Sequence, residues 1–194
     1  MSLNKEYWEN RYAKNILGWD IGAISTPIKE YIDQLNNKEL KILIPGAGKG
    51  FEAEYLFQNG FKNIFVLDIA SKPLQEFKLR NPGFPEDQLI IGDFFKLDLH
   101  EFDLILEQTF FCSLLPKDRA RYVLRITKLL KKSGLLAGLL FDFPLTENGP
   151  PFGGSMDEYK SLFTPFFKIK TLDRAYNSIP ARQGNELFFI FEKK

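Results

Sequence analysis

Leu40-Lys41-Ile42-Leu43-Ile44 runs directly into Pro45-Gly46-Ala47-Gly48-Lys49-Gly50. A short apolar run that ends in alternating glycines predicts a strand turning sharply into a helix, since glycine lets the backbone turn tightly and approach a ligand closely. Residues 51–59 read as that helix, and Gly60 is its stop. Residues 63–67 form a second apolar run closed by Asp68. A generic tight turn explains one or two glycines but seldom three in alternation. Neither phosphate-loop nor dinucleotide spacing fits, because the Ser/Thr after Lys49 is missing and the third glycine comes one residue early.

The alternation continues outward. Residues 71–80 read as a helix with Ser71 as its N-cap, and Asn81-Pro82-Gly83 closes it. Strands are expected at 88–91, ending in Gly92-Asp93, and at 102–106, followed by Glu107-Gln108. Residues 117–131 carry a helical stripe (Ala120, Val123, Leu124, Ile126, Leu130) stopped by Ser133-Gly134, and 135–141 is a fully apolar fifth strand. Residues 168–172 and 187–191 close the chain as two strands without a clear helix between them, so an antiparallel edge is expected. Apolar strands alternating with helices imply a doubly wound α/β fold, a mostly parallel seven-stranded sheet covered on both faces. Residues 1–194 read as one domain, in which 1–36 form a helical lid or flank.

Composition narrows the function. Lys plus Arg, 26, nearly balances Asp plus Glu, 25, so no global field draws in nucleic acid or an anionic membrane. The basic stretch 117–125 alternates with apolar residues and reads as a solvated helix face rather than a phosphate-binding surface. Cys112 is the only cysteine, which excludes an intrachain disulfide and a thiolate metal cage, and no metal is expected. No apolar run approaches the ~20 residues of a membrane span. The start is too polar for a signal peptide, so the cytoplasm is the expected location. The 20 phenylalanines mean a greasy core or an aromatic pocket.

In open α/β sheets, ligands sit beyond the carboxyl ends of the strands, where these unusual residues fall. Asp68 there reads either as an acceptor for both hydroxyls of a ribose or as a cap for the next helix. Asp93 beside Phe94-Phe95 suits an adenine, the acid accepting from the exocyclic amine while a ring stacks; one of the two rings is expected in the core.

Gly46, Gly48, Gly50, Asp68 and Asp93-Phe94 stand in the order and spacing of class I S-adenosylmethionine methyltransferases, with their Rossmann-like fold. With Trp8, Tyr12, Trp19-Asp20-x-Gly22, Pro27, Ile44-Pro45-Gly46, Thr109-Phe110-Phe111-Cys112, Gly149-Pro150-Pro151-Phe152 and Ile179-Pro180-x-Arg182-x-Gly184, the chain resembles the thiopurine S-methyltransferase superfamily. Within it the resemblance is nearest to the halide, thiocyanate and thiol methyltransferases, from residue 7 to 188. It implies S-adenosylmethionine as cofactor, with contacts from Trp8, Tyr12, Trp19, Gly46, Gly48, Gly50, Asp68, Asp93, Phe94 and Gln108. Three positions depart from the family's pattern: Tyr12 stands where it usually shows Trp, Gln108 where it often shows Tyr, and Glu107 where it usually shows Asp.

The donor's sulfonium is a cation, which aromatic faces attract by ~0.5–2 kcal/mol. Trp8 and Tyr12 share one helix face and read either as a cover over the methionine part or as anchors for their helix. Methyl transfer is an in-line displacement in which alignment and desolvation dominate. His100, the sole histidine, precedes the fourth strand and so lies away from the ligand; Asp142, Glu107 and tyrosines remain as weak base candidates. That favours an acceptor already anionic near neutral pH: a thiol, bisulfide, thiocyanate or halide. Phe110, Phe111 and Phe152 are expected to line its pocket. Arg182 reads either as an anion attractor at the mouth or as a surface loop cation. A small-molecule O- or N-methyltransferase would share every cofactor motif. A nucleic-acid or protein methyltransferase would usually carry an Asn/Asp-Pro-Pro-Tyr-type motif where this chain has Glu107-Gln108-Thr109-Phe110, and a non-catalytic module would be expected to lose its glycines or Asp68.

Overall fold

The structure is a computed structural model that describes residues 3–194 of the chain; Met1 and Ser2, the start of the expected 1–36 flank, lie outside the described residues. Seven strands form one sheet: β1 (Lys41–Pro45), β2 (Asn63–Asp68), β3 (Leu89–Ile91), β4 (Phe102–Gln108), β5 (Leu130–Phe141), β6 (Phe167–Arg174) and β7 (Glu186–Lys193). Their order is β3-β2-β1-β4-β5-β7-β6, with β1 to β5 parallel. The order reverses between β1 and β4, which opens a crevice at their carboxyl ends where such sheets bind ligands.

Side chains alternate across each strand, so neighbours feed opposite cores. Ile42 and Ile44 join Leu104, Leu106, Ala53, Leu56 and Phe77 on one face. Leu43 and Ile105 join Phe102, Tyr122, Phe163, Phe189 and Phe191 on the other. Most phenylalanines thus fill core. The helices are α1 (Lys5–Ala13), α2 (Thr26–Asp33), α3 (Phe51–Gln58), α4 (Ser71–Arg80), α5 (Arg119–Leu129) and α6 (Met156–Phe163).

The expected antiparallel edge is present: β7 pairs antiparallel with β5, and the edge strand β6 pairs antiparallel with β7. Other expectations are corrected. Ser133-Gly134 does not separate a helix from a strand, because β5 begins at Leu130 and carries both residues through a register shift opposite Phe102–Leu104. Gly134 is needed there, since a Cβ would lie 2.9 Å from the Phe102 carbonyl oxygen. Helix α6 was not anticipated; its signature is Ser155 three residues before Glu158, whose amide donates to the Ser155 hydroxyl at 3.3 Å. Ser71 is not the N-cap of α4: Ala70 is, and the Ser71 amide and hydroxyl both donate to Glu9 Oε1 of α1 (2.8 and 3.0 Å). Within the 1–36 segment, α2 buries Ile28, Tyr31 and Ile32 in the second core, whereas Tyr12 is the one buried residue of α1. Covering the crevice falls to α1 and the loop that follows it.

Candidate cofactor and acceptor site

The loop after β1 holds Gly46, Gly48 and Gly50 in the left-handed region, at φ 59°, 54° and 72°. Each also stands where a side chain would collide or crowd. A Cβ on Gly46 would fall inside the Phe110 ring, one on Gly50 would lie 2.6 Å from Phe77, and one on Gly48 would lie 3.2 Å from the Tyr12 hydroxyl. Asp68, at the end of β2, fastens this loop: Oδ2 accepts the Gly48 amide at 2.8 Å and Oδ1 the Ala70 amide at 2.9 Å. Burial pushes its carboxyl up to about 6, although the amides of Ala70, Gly48 and Ile69 pull the other way. Asp68 therefore does not cap α4 but ties the glycine loop to the entry of that helix, and it also faces the cavity with lone pairs to spare.

That cavity, about 1060 Å³, runs along the carboxyl ends of the strands. Trp8, Tyr12, Trp19, Gly46, Asp68, Asp93, Phe94 and Arg182 all border it. Asp93 caps the turn Phe94–Lys96 through the Phe95 amide at 2.9 Å. Phe94 is the more buried ring of its pair, stacked on Tyr122 at 5.4 Å, while the Arg121 guanidinium lies 4.0 Å from the Phe95 ring. Gln108 is elsewhere: its Oε1 accepts the Ser25 hydroxyl at 3.1 Å, and it borders a side lobe of about 50 Å³ with Tyr12, Trp19, Asp20 and Glu52. Glu52 escaped the sequence reading, although an acid just behind a glycine loop is a usable signal. Burial raises its carboxyl to about 7.

The covering segment is an aromatic stack with polar ties. Trp19 meets Trp8 and Tyr12 edge-on at 5.5 and 5.7 Å, and the Arg11 guanidinium lies 5.1 Å from the Trp19 ring. Asp20 is paired with Lys49 of the glycine loop at 2.7 Å. Lys72 of α4 donates to the Tyr12 carbonyl at 3.2 Å. Arg182 is neither a surface cation nor an unengaged anion receptor. It is 9% exposed, paired with buried Glu186 at 3.3 Å, and donates to the Trp19 carbonyl at 2.6 Å.

Phe111 and Phe152 are corrections. Both are buried in the core, off the cavity wall; Phe111 packs between Tyr122, at 5.1 Å, and Tyr159, at 5.8 Å. Phe110 does border the cavity, and the rest of the apolar wall is Leu114, Phe141, Phe143, Pro150 and Pro151, with Cys112. Alternation within Phe110-Phe111-Cys112 breaks because these residues sit in a tight turn rather than a strand.

Glu107 makes that turn. It is 1% exposed; Oε1 accepts the Phe110 and Phe111 amides, both at 2.8 Å, and Oε2 accepts the Tyr122 hydroxyl at 2.7 Å. Burial lifts its carboxyl to about 7. It is sealed beneath the turn and does not border the cavity, so it is a bracket rather than a base. Asp142 pairs with Arg174 at 3.3 Å, and His100 is exposed at the amino end of β4. Arg119 is a further correction to the solvated basic face. It is buried, paired with Glu158 at 2.7 Å and bound to the Gly153 carbonyl at 2.7 Å, which pins the strip after Pro151. Lys117 and Arg121 of the same stretch are exposed at the cavity rim. Among the described residues no acidic, histidine or cysteine cluster could hold a metal, and no helix is long and apolar enough to cross a membrane.

This donor set fits a nucleoside joined to a cationic, amino-acid-like tail. A glycine cradle admits close backbone approach, Asp68 and Asp93 face the cavity, and Tyr12, Trp19 and the buried Glu52 gather beside the glycine loop.

Comparison with known proteins agrees with the geometry. The profile of the family described as thiopurine S-methyltransferase matches residues 3–193. The chain is 28% identical over 185 residues to a probable thiol methyltransferase 2 of Arabidopsis thaliana, covering 92% of this chain and 81% of that protein. It is 25% identical over 178 residues to a thiopurine S-methyltransferase of Aliivibrio salmonicida, covering 84% of each. The fold matches the crystal structure of the Burkholderia thailandensis 1,6-didemethyltoxoflavin-N1-methyltransferase with a TM-score of 0.79 at 20% identity, over 98% of this chain and 87% of that one.

Proposed function

Since the chain belongs to the thiopurine S-methyltransferase family and is an S-adenosylmethionine-dependent methyltransferase, we propose that its acceptor is a small soft nucleophile: a thiol, bisulfide, thiocyanate or halide. The observation that carries this reading is the acceptor wall. Phe110, Phe141, Phe143, Leu114, Pro150 and Pro151 form an apolar surface, and among the described residues bordering it none is a histidine. Burial pushes the Cys112 thiol well above its ordinary range, so it is no base at neutral pH. Stripping water from a polarisable anion against such a wall costs far less than stripping a hard oxyanion, whose buried charge would lack partners. The relatives named for thiol and thiopurine methylation point the same way.

When bound, S-adenosylmethionine supplies the activated methyl group. The chain's own part is to bind, orient and exclude water. Asp68 and Asp93 are assigned to the ribose and the adenine, with Phe94 against the base and the glycine loop beneath. Trp8, Tyr12 and Trp19 are assigned to a lid over the cofactor, and Gln108 to the side lobe at its methionine end. The near balance of charges favours a small-molecule partner over nucleic acid.

The experiment is an acceptor panel at equal concentration with labelled cofactor, read as methylated product. Sulfur acceptors and thiocyanate should lead, then iodide, then bromide and chloride, with phenols and carboxylates poor. Strong turnover of a catechol or an amine, with silence on every sulfur and halide acceptor, would replace this reading by an O- or N-methyltransferase.

A further inference from the structure

Arg182 stands in the segment that borders the acceptor side of the cavity, with Ile179, Ala181 and Asn185. Its side chain crosses to the cofactor side. Nη1 pairs with Glu186 at 3.3 Å, Nη2 donates to the Trp19 carbonyl at 2.6 Å, and the guanidinium lies 5.6 Å from the Phe141 ring. The other ties on the covering segment come from below: Lys49 to Asp20, Ser71 to Glu9 and Lys72 to the Tyr12 carbonyl. Helix α1 buries only Tyr12, so apolar adhesion is slight and polar ties decide whether the segment stays down. Among them the Arg182 bond is a charge-assisted one made by a nearly buried guanidinium, the kind that water and salt weaken least.

We propose that Arg182 is a positioning residue that latches the cofactor's lid from the acceptor side, Glu186 holding the guanidinium fork in register with the Trp19 carbonyl. The acceptor wall and the cofactor cover are thereby one mechanical unit: the demethylated cofactor can leave only when Arg182 releases Trp19. This inference rests on the lid reading above. The bond goes to a main-chain carbonyl, so the sequence motif around Trp19 gives no sign of it and the arginine must be the residue changed.

Trp8 and Trp19 are the chain's two tryptophans, so fluorescence excited selectively at tryptophan reports on the lid alone. The test compares R182A/E186Q with E186Q, which avoids leaving Glu186 buried and unpaired. S-adenosylhomocysteine affinity is measured by calorimetry, and acrylamide quenching is measured with and without that ligand. E186Q keeps an amide oxygen that can accept from Nη1, so it should lose only a few-fold in affinity and its tryptophans should still be shielded by the ligand. R182A/E186Q should bind about tenfold more weakly, as expected for one lost charge-assisted hydrogen bond, and its tryptophans should stay open to quencher in the saturated complex. If the ligand fails to shield the tryptophans of the wild type, the lid reading falls and the latch with it. Shielding in wild type matched by equal affinity and equal shielding in R182A/E186Q overturns the latch alone. Should R182A/E186Q not fold, R182K decides in the same assays. It keeps a charge near Glu186 but has no fork to reach both acceptors, so wild-type behaviour in R182K overturns the assignment.

Discussion

The Tyr122 hydroxyl donates to Glu107 Oε2 at 2.7 Å, and through that carboxylate helix α5 is fastened to the turn that carries Phe110 and Phe111. Replacing Glu107 by alanine leaves two buried donors, the Phe111 amide and the Tyr122 hydroxyl, without their acceptor. At about 1–3 kcal/mol for each unpaired group, the loss should be roughly 2–6 kcal/mol of stability. Chemical denaturation checks it, and a loss below 1 kcal/mol would mean that water satisfies the turn.

Stability should fall as pH rises toward neutrality. Burial raises Glu107 and Glu52 from 4.5 to about 7 and Asp68 from 3.8 to about 6. Between these limits the folded chain holds more protons than the unfolded one, so the unfolding free energy decreases with pH. The oppositely shifted carboxylates Asp33, Glu30, Asp103 and Glu192 titrate below their ordinary values, outside this window. Melting without ligand should therefore give a higher Tm near pH 5 than near pH 7.5, and E107Q should flatten the difference. A Tm that climbs steadily through this window would contradict the burial argument.

Gly46→Ala should disable the cofactor cradle. A left-handed alanine costs about 1–2 kcal/mol, and displacing the Phe110 ring adds about 1–3 kcal/mol. Gly60→Ala is the control, since Gly60 has φ 83° but open space around it. S-adenosylhomocysteine binding should drop at least about tenfold in the first variant and be unchanged in the second. Equal effects of the two would reduce the cradle to backbone strain.

Asp68→Ala should weaken S-adenosylhomocysteine by roughly 1.5–3 kcal/mol, the value of a charge-assisted hydrogen bond. It should also lower Tm, because the Gly48 and Ala70 amides lose their acceptor. A lower Tm with unchanged affinity by calorimetry would leave Asp68 a tie for the glycine loop and nothing more.

Much of this was legible in the sequence because it was written in local signals. The run into Gly46, Gly48 and Gly50, the acids at the ends of β2 and β3, and the parallel alternation all express backbone geometry of a few residues. What stayed hidden depended on distant partners. Nothing near Ser71 says that Glu9 would cap its helix, and nothing near Arg182 says that Trp19 would be its acceptor. The inward turn of Phe111 is set by Glu107 and Tyr122, not by the period of its neighbours. Helix α6 was locally signed by Ser155 and Glu158, but it followed a Gly- and Pro-rich strip that reads as a loop.

The sheet is also a partition between two energetic compartments. Ile42 and Ile44 face one core, and Leu43, between them, faces the other. Groups without shared partners contribute additively, whereas groups in one packed cluster do not. Packing along β1 therefore follows the parity of residue number: Ile42 shares a cluster with Leu56 of α3, while Leu43 shares one with Tyr122 of α5.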